Sequence, residues 1–123
     1  MSHSFVWVDI PVRDLDRAIK FYTAVLDGPV TREGGPGFAF GVFSHGNDDV
    51  AGCLYTPDDD NAPSERGPLV YLNADGRLAD AVRAVAVNGG RIIEAVHQIG
   101  PHGYRAIVLD SEGNRVALHS PTD

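Results

Sequence analysis

The strongest constraint in this sequence is that one order of elements runs through it twice. Residues 50–57, VAGCLYTP, close the first passage, and residues 109–121, LDSEGNRVALHSP, close the second. Cys53-Leu54-Tyr55-Thr56-Pro57 matches Ala117-Leu118-His119-Ser120-Pro121 in pattern. What precedes each ending matches too. Residues 5–12, FVWVDIPV, are β-branched and aromatic and predict a strand. Asp14 stands at an N-cap position, and Leu15, Ala18, Ile19, Tyr22, Val25 and Leu26 carry the spacing of an amphipathic helix, stopped by Gly28-Pro29. REGGPG reads as a loop, with a weak extra strand near Pro29–Arg32, and FAFGVF and VAGCLY predict strands on either side of the turn SHGNDD. After TPDDDNAPSERGP, an acidic, proline-rich linker, LVYLNA predicts a strand. Leu78, Ala81, Val82 and Val85 predict a helix closed by Asn88-Gly89-Gly90. RIIEAVH, YRAIVLD and RVALHS predict three strands, the last two joined by SEGN.

The chain therefore reads as a duplicated βαβββ unit of roughly 60 residues. Module 1 covers about 4–56, a linker about 57–68 and module 2 about 69–121, all in one domain of 123 residues. The expected class is α+β, with the tandem modules forming a curved eight-stranded mixed sheet and the helices outside. One helix covers one face of each sheet. Sheets twist, so the other face is left as a concave trough, where ligands favour binding.

Charge and composition narrow the partners. The net charge is −7, which disfavours phosphate backbones and argues against nucleic acid. No apolar run approaches the roughly 20 residues that span a bilayer, so no membrane partner is expected. The single cysteine, Cys53, leaves no intrachain disulfide. The start, MSHSFVWVDIPV, lacks a basic region followed by an apolar stretch, and a cytoplasmic location is the expectation.

PVRDLDRAIKFYTAVLDGPV near the front and LDSEGNRVALHSP near the back, set in tandem βαβββ order, resemble the vicinal oxygen chelate superfamily. That group includes glyoxalase I, the bleomycin-resistance proteins and the extradiol dioxygenases, and the resemblance covers essentially the whole chain. It implies a trough that binds a small molecule and, in the enzymes, a divalent metal held by His and Glu of the first and last strands of each half. Those positions fall here on Trp7, Cys53, Leu69 and Ala117. None is a strong oxygen or imidazole ligand, so no metal site and no cofactor is expected, although a site at other positions stays open. The resemblance also implies a homodimer, because relatives often complete troughs or bury sheet edges by pairing.

With Trp7 at the ligand position, period two turns Phe5, Trp7 and Asp9 to the trough. Cys53 and Tyr55, and by the internal match Ala117 and His119, join them. Leu69, Tyr71 and Asn73 share one face. Pairing Asp110 with Arg115 across SEGN would add Tyr104, Ala106 and Val108. The expected ligand-binding set is thus Trp7, Cys53, Tyr55, Leu69, Tyr71, Asn73, Tyr104 and Ala117, a surface suited to a flat organic molecule of mixed polarity.

His119 and Asp9 are the candidate catalytic pair, since imidazole serves as general acid or base and a carboxylate can orient it. Each has a plainer reading, as a strand-end histidine bonded to backbone and a rim carboxylate. Trp7 could be a stacking platform, with a core plug as its plainer reading, and Cys53 reads as an inert buried thiol. His97 and His102 flank a loop that could act as a lid or hold a surface metal, or be an ordinary hairpin. Three functions stay open. One is a metal-independent binder of a small, cationic or aromatic molecule. Another is a glyoxalase-type lyase, isomerase or dioxygenase with metal ligands elsewhere. The third is a metal-free enzyme using His119 and Asp9.

Overall fold

The computed structural model describes residues 3–58 and 60–123. Its elements follow the predicted order: β1 (Trp7–Pro11), α1 (Leu15–Leu26), β2 (Val30–Gly35), β3 (Phe38–Phe43) and β4 (Ala51–Tyr55), then β5 (Val70–Asn73), α2 (Leu78–Val87), β6 (Arg91–Gln98), β7 (Tyr104–Leu109) and β8 (Arg115–Ser120). The eight strands form two hydrogen-bonded sheets of four, ordered β1-β4-β3-β2 and β5-β8-β7-β6. In each, the first and last strands pair in parallel and the other pairs are antiparallel. The duplication is thus exact at the level of topology. The stretch read mainly as a loop, REGGPG, lies largely in β2, which pairs with β3 along its length. Glycine content masked it, since glycine is a poor strand former that an antiparallel neighbour can still hold in register.

Both helices turn apolar stripes inward. Leu15, Ala18, Phe21, Tyr22 and Val25 of α1 and Leu78, Ala81 and Val85 of α2 are buried. Together with Leu54, Ala106, Val108, Val116 and Leu118 they make one core shared by the modules. The helices pack on each other, so burial against both sheets drives the modules together. Gly90 is required here. A Cβ at this position would stand 2.5 Å from the Leu109 carbonyl oxygen and 2.9 Å from Phe21 Cε1.

Polar contacts complete the join. Asp14 adopts extended backbone and its side chain accepts from the Arg17 N–H at 3.0 Å, the N-cap its sequence predicts. The SEGN turn of module 2 reaches the same helix end. The Glu112 side chain is fully buried and accepts from the Arg13 and Asp14 N–H groups, both at 2.8 Å. It also accepts from Arg17 Nε at 2.7 Å, Arg17 Nη2 at 2.9 Å and the Ser111 hydroxyl at 2.9 Å. Burial pushes its pKa up. The Arg17 guanidinium, the two backbone N–H groups and Ser111 outweigh that and hold it down at about 2. At the other end, Asp27 closes α1 in the left-handed conformation at φ 51°, one residue ahead of the predicted Gly28. Arg77 of module 2 donates to the Val25 carbonyl there at 2.5 Å. Asp110 is buried and accepts from the Tyr22 hydroxyl at 2.5 Å and from the Glu112 and Asn114 N–H groups at 2.8 Å.

Candidate functional site on the open sheet faces

Each sheet has one face against the helices and one free of them, and strand register decides which side chains reach the free face. In module 1, Asp9 pairs with Cys53 and Cys53 with Val42, while Tyr55 pairs with Pro11 and Phe40, and Phe40 with Glu33. Directly paired residues share a face. Trp7, Asp9, Glu33, Phe40, Val42 and Cys53 line a hollow of about 310 Å³ on it. The Trp7 indole N–H donates to Asp9 Oδ1 at 2.6 Å, and the Cys53 thiol donates to the same oxygen at 3.3 Å. One carboxylate therefore orients both neighbours. Burial, then the hydrogen bond and charge of Asp9, pushes the Cys53 thiol up to about 11, so it stays protonated and unreactive. Tyr55 stands beside this hollow, its hydroxyl accepting from Asn61 Nδ2 of the linker at 2.5 Å.

In module 2, Tyr71 pairs with Ala117 and Asn73 with His119, while Ala117 pairs with Ile107 and His119 with Arg105. The face therefore carries Tyr71, Asn73, Arg105 and His119. Arg105 Nε donates to His97 Nε2 at 3.0 Å, its Nη1 donates to the Tyr71 hydroxyl, and its guanidinium carbon lies 5.9 Å from the Tyr71 ring centre. His119 Nε2 lies 2.6 Å from the His102 carbonyl oxygen. A carbonyl only accepts, so Nε2 carries the proton. His97 reaches this face through a bulge in β6, where register shifts fall between Ile92 and Glu94 and between Glu94 and His97.

The expectation that Tyr104, Ala106 and Val108 line the trough is overturned. Leu109, not Asp110, pairs with Arg115, and that one-residue difference turns Tyr104, Ala106 and Val108 to the helices, where they join or pack against the core. Arg105 and Ile107 take their place. Leu69 precedes β5 and pairs with nothing in that sheet, and Ala117 is buried. Asp9 and His119 are not brought together in this chain. Asp9 lies in the module 1 hollow, and His119 in a separate one of about 250 Å³ with Tyr71, Asn73 and Asp75. Glu33, Phe40, Val42 and Arg105 were missed by sequence reasoning. The alternation of FAFGVF against Tyr55 was the available signal for Phe40 and Val42.

Trp7, Cys53, Leu69 and Ala117 present an indole, a thiol and two aliphatic side chains, a donor set that does not fit a divalent ion. Among the described residues, no group of three or more His, Cys, Asp or Glu side chains is arranged to hold one. Among the described residues no helix is long and apolar enough to cross a membrane.

Comparison with known proteins agrees with the architecture. The sequence pattern of the Glyoxalase/Bleomycin resistance protein/Dioxygenase superfamily matches residues 4–118. No curated protein matches the chain in sequence. A glyoxalase/bleomycin resistance protein from Albidiferax ferrireducens T118 superposes with a TM-score of 0.75 at 21% identity, over 96% of this chain and 98% of that one. A glyoxalase-related enzyme from Fulvimarina pelagi superposes with a TM-score of 0.72 at 12% identity, over 96% of this chain and 88% of that one. A glyoxalase I mutant from Zea mays superposes with a TM-score of 0.69 at 20% identity, over 94% of this chain and 46% of that one. At these identities the likeness is one of fold.

Proposed function

Because the chain belongs to the glyoxalase/bleomycin resistance protein/dioxygenase superfamily, we propose that it holds a small cationic or aromatic organic molecule on the open face of module 1, with no divalent ion at Trp7, Cys53, Leu69 or Ala117. The observation that carries this reading is the Trp7 indole, oriented by Asp9 beside Phe40 in a hollow that also holds Glu33. Two carboxylates and two aromatic rings attract an organic cation by charge and by cation–π contact. Trp7 is the sole tryptophan, so its emission reports occupancy directly. Titration with benzylammonium should quench Trp7, benzyl alcohol should do so far less, and Asp9→Asn should weaken the response about tenfold. No change in Trp7 emission across a panel of aromatic amines would overturn the proposal. Elemental analysis finding a stoichiometric divalent metal would overturn its metal-free part.

A second reading, catalysis by His119, is favoured by one observation. With Nε2 committed to the His102 carbonyl, Nδ1 of the neutral ring is left as a proton acceptor. Loss of turnover in His119→Ala, with binding retained, would support it. We also propose a homodimer. Module 1 offers Asp9 and Glu33 where module 2 offers Arg105, so a head-to-tail pair brings opposite charges together. Light scattering that gives the monomer mass alone would overturn it.

A further inference from the structure

The linker between the modules builds a hollow of its own. It has a volume of about 280 Å³ and lies along the seam where β1 and β5, each the outer strand of its sheet, come near the linker. Its lining is apolar where the strands contribute, through Val8, Ile10, Val70 and Val116, and cationic at Arg66 and Arg115. The linker is tied down beside it. The Ser64 N–H donates to Asn114 Oδ1 at 3.1 Å, the Arg115 N–H donates to the Ser64 carbonyl at 3.2 Å, and the Arg66 N–H donates to Ser64 Oγ at 3.0 Å. Asn114 in turn donates to the Pro11 carbonyl at 2.7 Å. The hollow is therefore preformed.

The two cations that line it are free of carboxylate partners among the described residues. Arg17, Arg32, Arg77 and Arg83 each lie against a carboxylate. Arg66 and Arg115, like Arg13, Lys20, Arg91 and Arg105, meet none among the described residues, and of these six Arg66 and Arg115 are the two that line the hollow. Asp9 also lines the hollow, and its Oδ1 accepts from the Trp7 indole and the Cys53 thiol. Two guanidinium groups left without carboxylates, one on the linker and one at the start of β8, offer forked donors to an oxyanion while the strands receive its apolar body.

We infer that this seam is a second binding site, specific for a small organic anion that joins an apolar body to one carboxylate or phosphate. Its volume is at the small end of ligand pockets, which start near 300 Å³, so the ligand is about the size of one ring with one acidic group. The site shares only Asp9 with the module 1 hollow, and occupancy would bind the linker to both modules at once.

Amide chemical-shift titration of the ¹⁵N-labelled full chain tests this, with benzoate, phenyl phosphate and the neutral benzamide as probes. Benzoate or phenyl phosphate should shift the amides of Ser64, Arg66, Val70, Arg115 and Val116, and the tighter of the two identifies the acidic group. Benzamide should bind at least tenfold more weakly, as should either anion to the Arg66→Gln/Arg115→Gln double variant. Arg91→Gln, which removes a cation from the strand at the far edge of the module 2 sheet, should leave the affinity unchanged. If the double variant fails to fold, the anion-to-benzamide ratio still reads the charge. Absence of shifts with both anions, benzamide binding as well as benzoate, or shifts confined to Trp7, Tyr71 and their neighbours would each overturn the inference.

Discussion

Glu112 and Arg77, both in module 2, hold opposite ends of a helix that belongs to module 1. Glu112 accepts from the first N–H groups of the α1 region, and Arg77 donates to the Val25 carbonyl at its last turn. An anion at the N-terminus and a cation at the C-terminus also oppose the helix dipole at each end. Among the described residues nothing in module 1 does the same for α2, whose N-cap residue makes no side-chain cap bond. The duplicated units are alike in topology and unequal in dependence.

Removing the anionic end should be costly. Glu112→Ala leaves the Arg13 and Asp14 N–H groups and the Arg17 guanidinium without their acceptor, and should lower unfolding free energy by about 3 kcal/mol. Glu112→Gln keeps the shape and one acceptor oxygen and should lose about half of that. Urea unfolding at neutral pH measures both, and losses under about 0.5 kcal/mol would remove the clamp from the account.

The same carboxylate should make stability depend on acid. Its folded pKa, about 2, lies below the ordinary glutamate value of 4.5, so the unfolded chain binds the extra proton between those values. Its contribution is complete above about pH 5, falls as pH drops through that interval, and is gone below 2. Urea midpoints taken from pH 5 to pH 2.5 should fall more steeply in the native chain than in Glu112→Gln.

Arg77→Ala should cost about 1 kcal/mol, since it removes one bond to a C-terminal carbonyl. Combined with Glu112→Ala the losses should add, because the sites are separated by a helix of 12 residues, about 18 Å. A coupling well above 0.5 kcal/mol in a double-mutant cycle would mean that α1 responds as a unit rather than at its ends.

Cys53 should resist alkylation. With its pKa at about 11 and its side chain buried, thiolate at pH 8 is roughly a hundredfold rarer than for a free cysteine. Iodoacetamide labelling followed by mass spectrometry should be slow until denaturant is added. Rapid labelling of the folded chain would contradict the bond to Asp9.

Gly90→Ala should be far more damaging than Gly113→Ala. The first forces a Cβ against the Leu109 carbonyl and Phe21, whereas the second meets nothing within 4 Å and strains only a backbone at φ 98°. The difference should amount to at least 2 kcal/mol by thermal or urea unfolding.

Local chemistry made much of this legible. The Asp14 cap, the α1 stripe and the repeated strand endings each depend on residues a few positions apart, which a sequence displays. Trp7, Asp9, Cys53 and Tyr55 lie on the face assigned to them because β1 and β4 alternate cleanly. Tyr104 fails because its assignment rested on a hairpin register, which turn geometry sets and a one-residue slip reverses. His97 reaches the module 2 face through a bulge that simple alternation does not contain. The Glu112 and Arg77 contacts span 95 and 52 positions to Arg17 and Val25 and leave no local trace. Arg66 and Arg115, 49 positions apart, were passed over because only the folded linker brings them to one hollow.

The clamp on α1 also bears on the order of events when the chain is made. A ribosome delivers Asp14 98 residues before Glu112, so the first helix emerges well before the carboxylate that accepts from the Arg13 and Asp14 amides ahead of it. Until then module 1 is a draft whose first turn is held by Asp14 and water alone. The start of α1 is thus closed by module 2, and a chain halted near residue 100 should keep that helix end open to hydrogen exchange.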